Sequence, residues 1–127
     1  MRESHPLVIN GQLMGFAKGV VADGRLAFIS GVTGEGATIA DQAEDCWNTI
    51  KERVEALGGR VENIVQRMTF VTSVDEWQKE GSARQRAWLE KNCPSLIQSP
   101  PAGTLIGCVA LAQPSYKIEI QVVVALD

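Results

Sequence analysis

Histidine is almost absent from this chain: His5 is the only one in 127 residues. A zinc site of the usual His/Cys kind and a Ser-His-Asp triad both need a well-placed imidazole. A single ring near a terminus expected to be mobile supplies neither. Cysteine is sparse and odd in number, with Cys46, Cys93 and Cys108 far apart. That spacing gives no disulfide framework, and Met1–Asn10 does not read as a secretory leader, so reduced thiols in the cytoplasm are the expectation. No apolar run approaches the roughly 20 residues of a membrane span. Positive charge is also short, with 12 Lys and Arg against 15 Asp and Glu for a net charge of −3. Nucleic-acid and anionic-membrane surfaces need clustered cations, so neither partner is expected. Nothing in the sequence calls for a metal or another cofactor.

What is present is ordinary globular material. The composition is 45% hydrophobic and 21% charged, which fits one domain over residues 1–127 with a real core. The C-terminal stretch Ser99–Asp127 is the most informative. Pro100 and Pro101 stiffen its start. An apolar run, Thr104–Ala112, precedes a break at Gln113-Pro114-Ser115. Tyr116–Val124 then alternates, with Lys117, Glu119, Gln121 and Val123 on one face and Ile118, Ile120, Val122 and Val124 on the other. Period 2 with β-branched residues predicts a half-buried strand, and the whole stretch reads as two long strands joined by a short turn.

Earlier in the chain, Leu7–Asn10 predicts a short strand ending at an Asn10-Gly11 turn. Lys18–Ala22 and Arg25–Ser30 flank Asp23-Gly24, the sequence signal of a type I′ hairpin. Thr38-Ile39-Ala40-Asp41 resembles a capping box. After it, Ala40, Ala43, Trp47, Ile50, Val54 and Leu57 recur at spacings of three and four, one stripe of an amphipathic helix closed by Gly58-Gly59. Ile64–Val74 predicts a strand. Ser73-Val74-Asp75-Glu76 then caps a second helix running to about Asn92, with a break near Gly81 and a buried side of Trp77, Ala83, Ala87 and Trp88. Cys93-Pro94 ends that helix, and Ser95–Ser99 reads as a loop. The order β-β-β-α-β-α-β-β predicts an α+β domain, a single mixed sheet with two helices on one face. Leu105, Val109, Leu111 and Val123 put apolar groups on both sheet faces, and self-association is the natural cover for the face without helices.

Local motifs point mostly to structure. Gly31-Val32-Thr33-Gly34-Glu35-Gly36 sits where a phosphate cradle could, between strand and helix. Its spacing matches neither the dinucleotide fingerprint nor the P-loop, so turn geometry is the better reading. Cys46 and Cys108 lack an adjacent cation or His to make a thiolate and read as small buried hydrophobes. The tryptophans read as core. Glu119 and Gln121 are the exception: they are either a solvated strand face or the polar floor of a pocket at a subunit boundary.

Several stretches together resemble the RidA/YjgF family of reactive-intermediate deaminases, also labelled endoribonuclease L-PSP. They are Phe16-Ala17-Lys18-Gly19-Val20, Phe28-Ile29-Ser30-Gly31, the Trp47 helix ending in Leu57-Gly58-Gly59, Val65–Val74, Pro101-Ala102-Gly103-Thr104, Val109-Ala110-Leu111-Ala112 and Lys117-Ile118-Glu119-Ile120-Gln121. The resemblance spans about Phe16 to Ala125. It implies a chorismate-mutase-like fold, a homotrimer, and small-molecule clefts between subunits where enamines or imines are hydrolysed to a 2-oxo acid and ammonia. It also implies substrate-binding roles for Phe16, Ser30, Gly31, Gly103, Thr104 and Leu105, and catalytic roles for Gln121 and Glu119.

The chain departs from the family pattern at two central places. Gly103 stands where an arginine would grip a substrate carboxylate, and Gln121 stands where a glutamate would position water. Phe16 replaces a tyrosine. Gly103 removes a bidentate anion anchor, and Gln121 keeps hydrogen-bonding reach without basicity. The expected cleft is therefore wider, less cationic and more apolar than the family norm. Three readings follow: a family-type hydrolase with an atypical substrate, a trimer that binds a small metabolite without turnover, and RNA cleavage, which the charge balance disfavours.

Overall fold

The computed structural model describes residues 1–127. One six-stranded mixed sheet runs in the order β1-β2-β5-β4-β6-β3. The strands are β1 (Arg2–Ile9), β2 (Gln12–Ala22), β3 (Leu26–Thr33), β4 (Ile64–Val71), β5 (Ala102–Gly107) and β6 (Ile118–Ala125). The helices are α1 (Ile39–Ala56), α2 (Val74–Glu76), α3 (Ser82–Asn92) and the single turn α4 (Ser95–Gln98). A π-helical turn, Trp77–Gly81, joins α2 to α3. The architecture is α+β, as the element order predicts. No helix is long and apolar enough to cross a membrane.

The helix termini follow from local chemistry. Thr38 Oγ1 accepts the Asp41 N–H at 3.1 Å, and Ser73 Oγ accepts the Glu76 N–H at 3.1 Å, each satisfying a donor that the first turn leaves free. At the end of α1, Gly58 adopts φ +88°; its N–H reaches Glu55 O and that of Gly59 reaches Val54 O, a Schellman closure. The α1 stripe is buried as far as Val54, and Cys46 joins it, but Leu57 at the cap is exposed. Trp47 and Trp88 meet at 5.4 Å between ring centroids. Each indole N–H has a partner: Trp47 Nε1 donates to Gln85 Oε1 (3.0 Å) and Trp88 Nε1 to Asn48 Oδ1 (2.8 Å). Ile118, Ile120, Val122 and Val124 of β6 face this helix layer, as the alternation predicts.

The second helix has a different buried side from the expected one. Trp77, Gly81, Gln85, Trp88 and Leu89 point inward, whereas Ala83 and Ala87 are exposed. The π turn adds a residue and resets the phase. Gly81 makes room for it, since a Cβ there would lie 2.5 Å from Trp77 Cε3. The Ser95–Ser99 segment is likewise a helical turn rather than a loop.

Strand connectivity also departs from the expectation. The type I′ turn lies at Asn10-Gly11, where φ is 51° and 77°, and it closes the β1–β2 hairpin. β1 is therefore a full eight-residue strand, longer than Leu7–Asn10, and the terminus is held in place. Arg2 fixes it by donating to Ile64 O, Ser99 Oγ and Ser99 O at 2.7–2.8 Å. Asp23-Gly24 is a turn with positive φ only at Gly24, and it closes no hairpin. β2 pairs with β1 and β5, while β3 lies at the far edge on β6. β5 and β6 are not joined by a short turn either. β4 separates them, and the last backbone bond holding β5 to β4 is Cys108 N–H to Val71 O. Beyond Val71, β4 offers no further rung, so residues 108–117 leave the sheet and Val109 is fully exposed.

Two segments are pinned by one buried side chain. Gln42 of α1, 2% exposed, donates from Nε2 to Gly36 O and Ser115 O and accepts the Lys117 N–H at Oε1. It ties the loop that follows β3 and the 108–117 connection to the start of α1. The glycines of that loop serve close approach: a Cβ on Gly34 would overlap the Gln42 carbonyl. Of the three glycines expected to form a loop, Gly36 adopts a positive φ, Gly34 allows a close approach and Gly31 belongs to β3.

Candidate functional site

β4 carries the group around which the site forms. A register shift between Ile64 and Gln66 is followed by regular alternation, so Arg67, Thr69 and Val71 face the helices while Met68 and Phe70 face away. Arg67 is only 8% exposed. Its register partner on β5 is Gly103. A Cβ on Gly103 would lie 3.3 Å from Arg67 Nη2 and 3.1 Å from Phe16 Cβ, so the guanidinium occupies the space beside a residue that has no side chain. Nη2 donates to Gly15 O at 3.1 Å. None of the ion pairs in the chain includes Arg67. Burial pulls its pKa down to about 10, which still leaves it cationic at neutral pH.

A cavity of about 520 Å³ opens in front of this group. The β1–β2 hairpin contributes Leu13, Met14 and Phe16; the sheet contributes Arg67, Thr69, Gly103, Thr104 and Leu105; the helices contribute Trp77, Gln85, Leu89 and Leu96. Gln85 is held by Trp47 through its oxygen, which orients the amide. Arg86 reaches the rim and is paired with Glu90. No Asp, Glu, His or Cys lines the cavity. It is an apolar chamber with neutral hydrogen-bonding groups and a buried cation, of a size that takes a small organic molecule.

The residues implied by the family resemblance divide into two groups. Phe16, Gly103, Thr104 and Leu105 meet at the cavity. Ser30, Gly31, Glu119 and Gln121 meet on the β3–β6 pair instead. There Ile29 pairs with Val122 and Val32 with Ile120, so Ser30 and Gly31 both stand against Gln121 in a bulge. A Cβ on Gly31 would overlap the Glu119 carboxylate; glycine is what lets Glu119 lie across the bulge. Gln121 is exposed and Glu119 half-buried, on the sheet face opposite Ile118 and Ile120. Cys46, whose Sγ points to Val32 O at 3.4 Å, has its pKa pushed up to about 12, by burial first and then by Asp45 and Glu119. It is an inert thiol.

Although Gly103 carries no charge, Arg67 on the neighbouring strand brings a cation to the cavity. Sequence reasoning placed Arg67 on the strand face opposite Met68 and Phe70 but gave it no role. It also missed Thr69 and Gln85 as lining groups. Trp77 is both core and cavity wall. The one available signal was an arginine among β-branched residues on a strand; that its register partner is a glycine could not be read locally.

Comparison with known proteins agrees with this architecture. The family model described as Endoribonuclease L-PSP matches residues 11–126. A protein of unknown function from the conserved Rid family, YyfB from Yersinia pestis, is similar in structure, with a TM-score of 0.72 at 24% identity over 96% of this chain and 99% of that one. A member of the YjgF/YER057c/UK114 family from Mycobacterium tuberculosis gives 0.67 at 21% identity, covering 98% and 99%. Yeast Mmf1 gives 0.69 at 14% identity, covering 98% and 94%. Comparison with curated proteins finds no significant match. With the matched family model spanning nearly the whole chain and the six-stranded fold shared with Rid proteins, the chain belongs to the endoribonuclease L-PSP family, also known as RidA/YjgF.

Proposed function

We propose that this protein is a homotrimeric small-molecule hydrolase of the RidA/YjgF type, acting on a reactive C=N or enamine bond. The observation that carries this reading is the 520 Å³ cavity where Phe16, Gly103, Thr104 and Leu105 converge around a buried cation. An imine carbon is already electrophilic, so hydrolysis asks for an oriented water more than for a strong base. Thr69, Ser82, Gln85 and Thr104 are the neutral polar side chains in the chamber that can orient one. Self-association is supported by the sheet face without helices. Phe28 is 73% exposed there beside its register partner Val123, and Met68 and Phe70 lie half-buried on the same face.

A second reading, binding without turnover, is favoured by a specific feature: the cavity holds no carboxylate, imidazole or thiol to accept a proton. An ammonia-release assay with freshly generated 2-aminoacrylate and with bulkier imines separates the two. Turnover of at least one imine that is lost in Thr69→Val is the expected result. Tight binding of an imine analogue with no ammonia release above the uncatalysed rate replaces the hydrolase reading with the second one.

A further inference from the structure

We propose that Arg67 is the anion anchor of the cavity, and that the molecule taken there is a small monoanion with an apolar body. This deepens the small-molecule reading above and rests on it. An arginine that is 92% removed from solvent (8% exposed) ordinarily sits against a carboxylate. Here the protein gives the guanidinium one carbonyl, Gly15 O, and no carboxylate. Its remaining N–H donors have no acceptor within the chain, and the space beside them is the chamber.

Three features fix what can fill that space. A planar guanidinium matches a carboxylate oxygen pair better than a point charge would. The chamber contains no acidic side chain, so an incoming anion meets no like charge. The walls of Leu13, Met14, Phe16, Trp77, Leu89 and Leu105 suit a hydrocarbon or aromatic body and offer no second cation inside, since Arg86 at the rim is taken by Glu90. A dianion or a polyol would be left under-solvated against these walls. Gly103 belongs to the same device. With any larger residue there, Phe16 and the guanidinium would have to move, so a bare β5 position is what allows β4 to supply the cation.

Phenylacetate and its neutral isostere phenylacetamide test this, with binding followed by calorimetry and by thermal shift. The expected result is that wild type binds phenylacetate about ten- to a hundred-fold more tightly than phenylacetamide, the size of a hydrogen-bonded charge contact. Arg67→Met should erase that preference without lowering the melting temperature, because an unpaired buried cation is replaced by an apolar chain of similar length. Arg67→Lys should retain part of the preference. Arg67→Met combined with Gly103→Arg should regain it by returning the cation to β5. Equal binding of the two probes by wild type and Arg67→Met refutes the anchor and leaves the cavity reading intact. Absence of binding of either probe to any of these proteins overturns both. A carboxylate preference that survives in Arg67→Met refutes the anchor, and a large drop in that variant's melting temperature alongside it makes Arg67 a structural residue instead.

Discussion

Removing the Gln42 side chain should loosen two segments at once. The amide is 2% exposed and makes three hydrogen bonds, to Gly36 O (3.0 Å), Ser115 O (3.0 Å) and the Lys117 N–H (2.8 Å). At about 0.5–1.5 kcal/mol net each, and with water able to reach the exposed Gly36 and Ser115 carbonyls, Gln42→Ala should cost about 2–4 kcal/mol. With a urea m-value of about 2 kcal/mol/M, the middle of the usual range, that is a midpoint shift of about 1–2 M. Protein concentration must be held fixed, because association adds to apparent stability. Gln42→Glu sharpens the test. Its carboxylate still accepts from Lys117, but the second oxygen faces two carbonyls, which raises the folded-state pKa above the unfolded value of about 4.3. A raised folded pKa means the variant is least impaired below the unfolded pKa and loses stability as pH rises through the folded one. The penalty relative to wild type should therefore grow as pH rises from about 4.3 toward the raised folded-state pKa and level off above it. A pH-independent penalty in Gln42→Glu, or an Ala variant within about 0.5 kcal/mol of wild type, would show that the clamp contributes little.

Three further outcomes are expected. Trp47→Ala should lose about 3–5 kcal/mol through cavity formation and leave Gln85 Oε1 without its partner; an unchanged denaturation midpoint would refute the placement of Trp47 at the centre of the core. In the native protein a disulfide reagent near pH 8 should label Cys108, the half-exposed thiol, and spare Cys46 until unfolding; rapid native labelling of Cys46 would contradict its burial. Sedimentation equilibrium at micromolar concentration should give a trimer that Phe28→Asp weakens by placing charge on the uncovered apolar face; a monodisperse monomer would remove the proposed assembly.

Much of this molecule is written locally. The capping boxes at Thr38 and Ser73, the α1 stripe, the Gly58-Gly59 closure, the interruption at Gly81 and the β6 alternation all lie within a few residues of their cause, so short-range periodicity and turn chemistry were enough to read them. Pairing was not legible in the same way. Asn10-Gly11 and Asp23-Gly24 carry similar turn signals, yet only the first closes a hairpin, because what β2 and β3 pair with is settled by β5 and β6 about 80–100 residues away. The end of β5 was set by where β4 runs out of rungs, not by the apolar run that continues to Ala112. The site shows the same division. The sequence alone reveals that position 103 is a glycine and that 67 is an arginine. Only the parallel register of β4 and β5 makes them neighbours, and only the hairpin and the phase-shifted helix build the walls of the chamber that the guanidinium faces. A charge acquires its role from what is folded over it, and that is a long-range property of the chain.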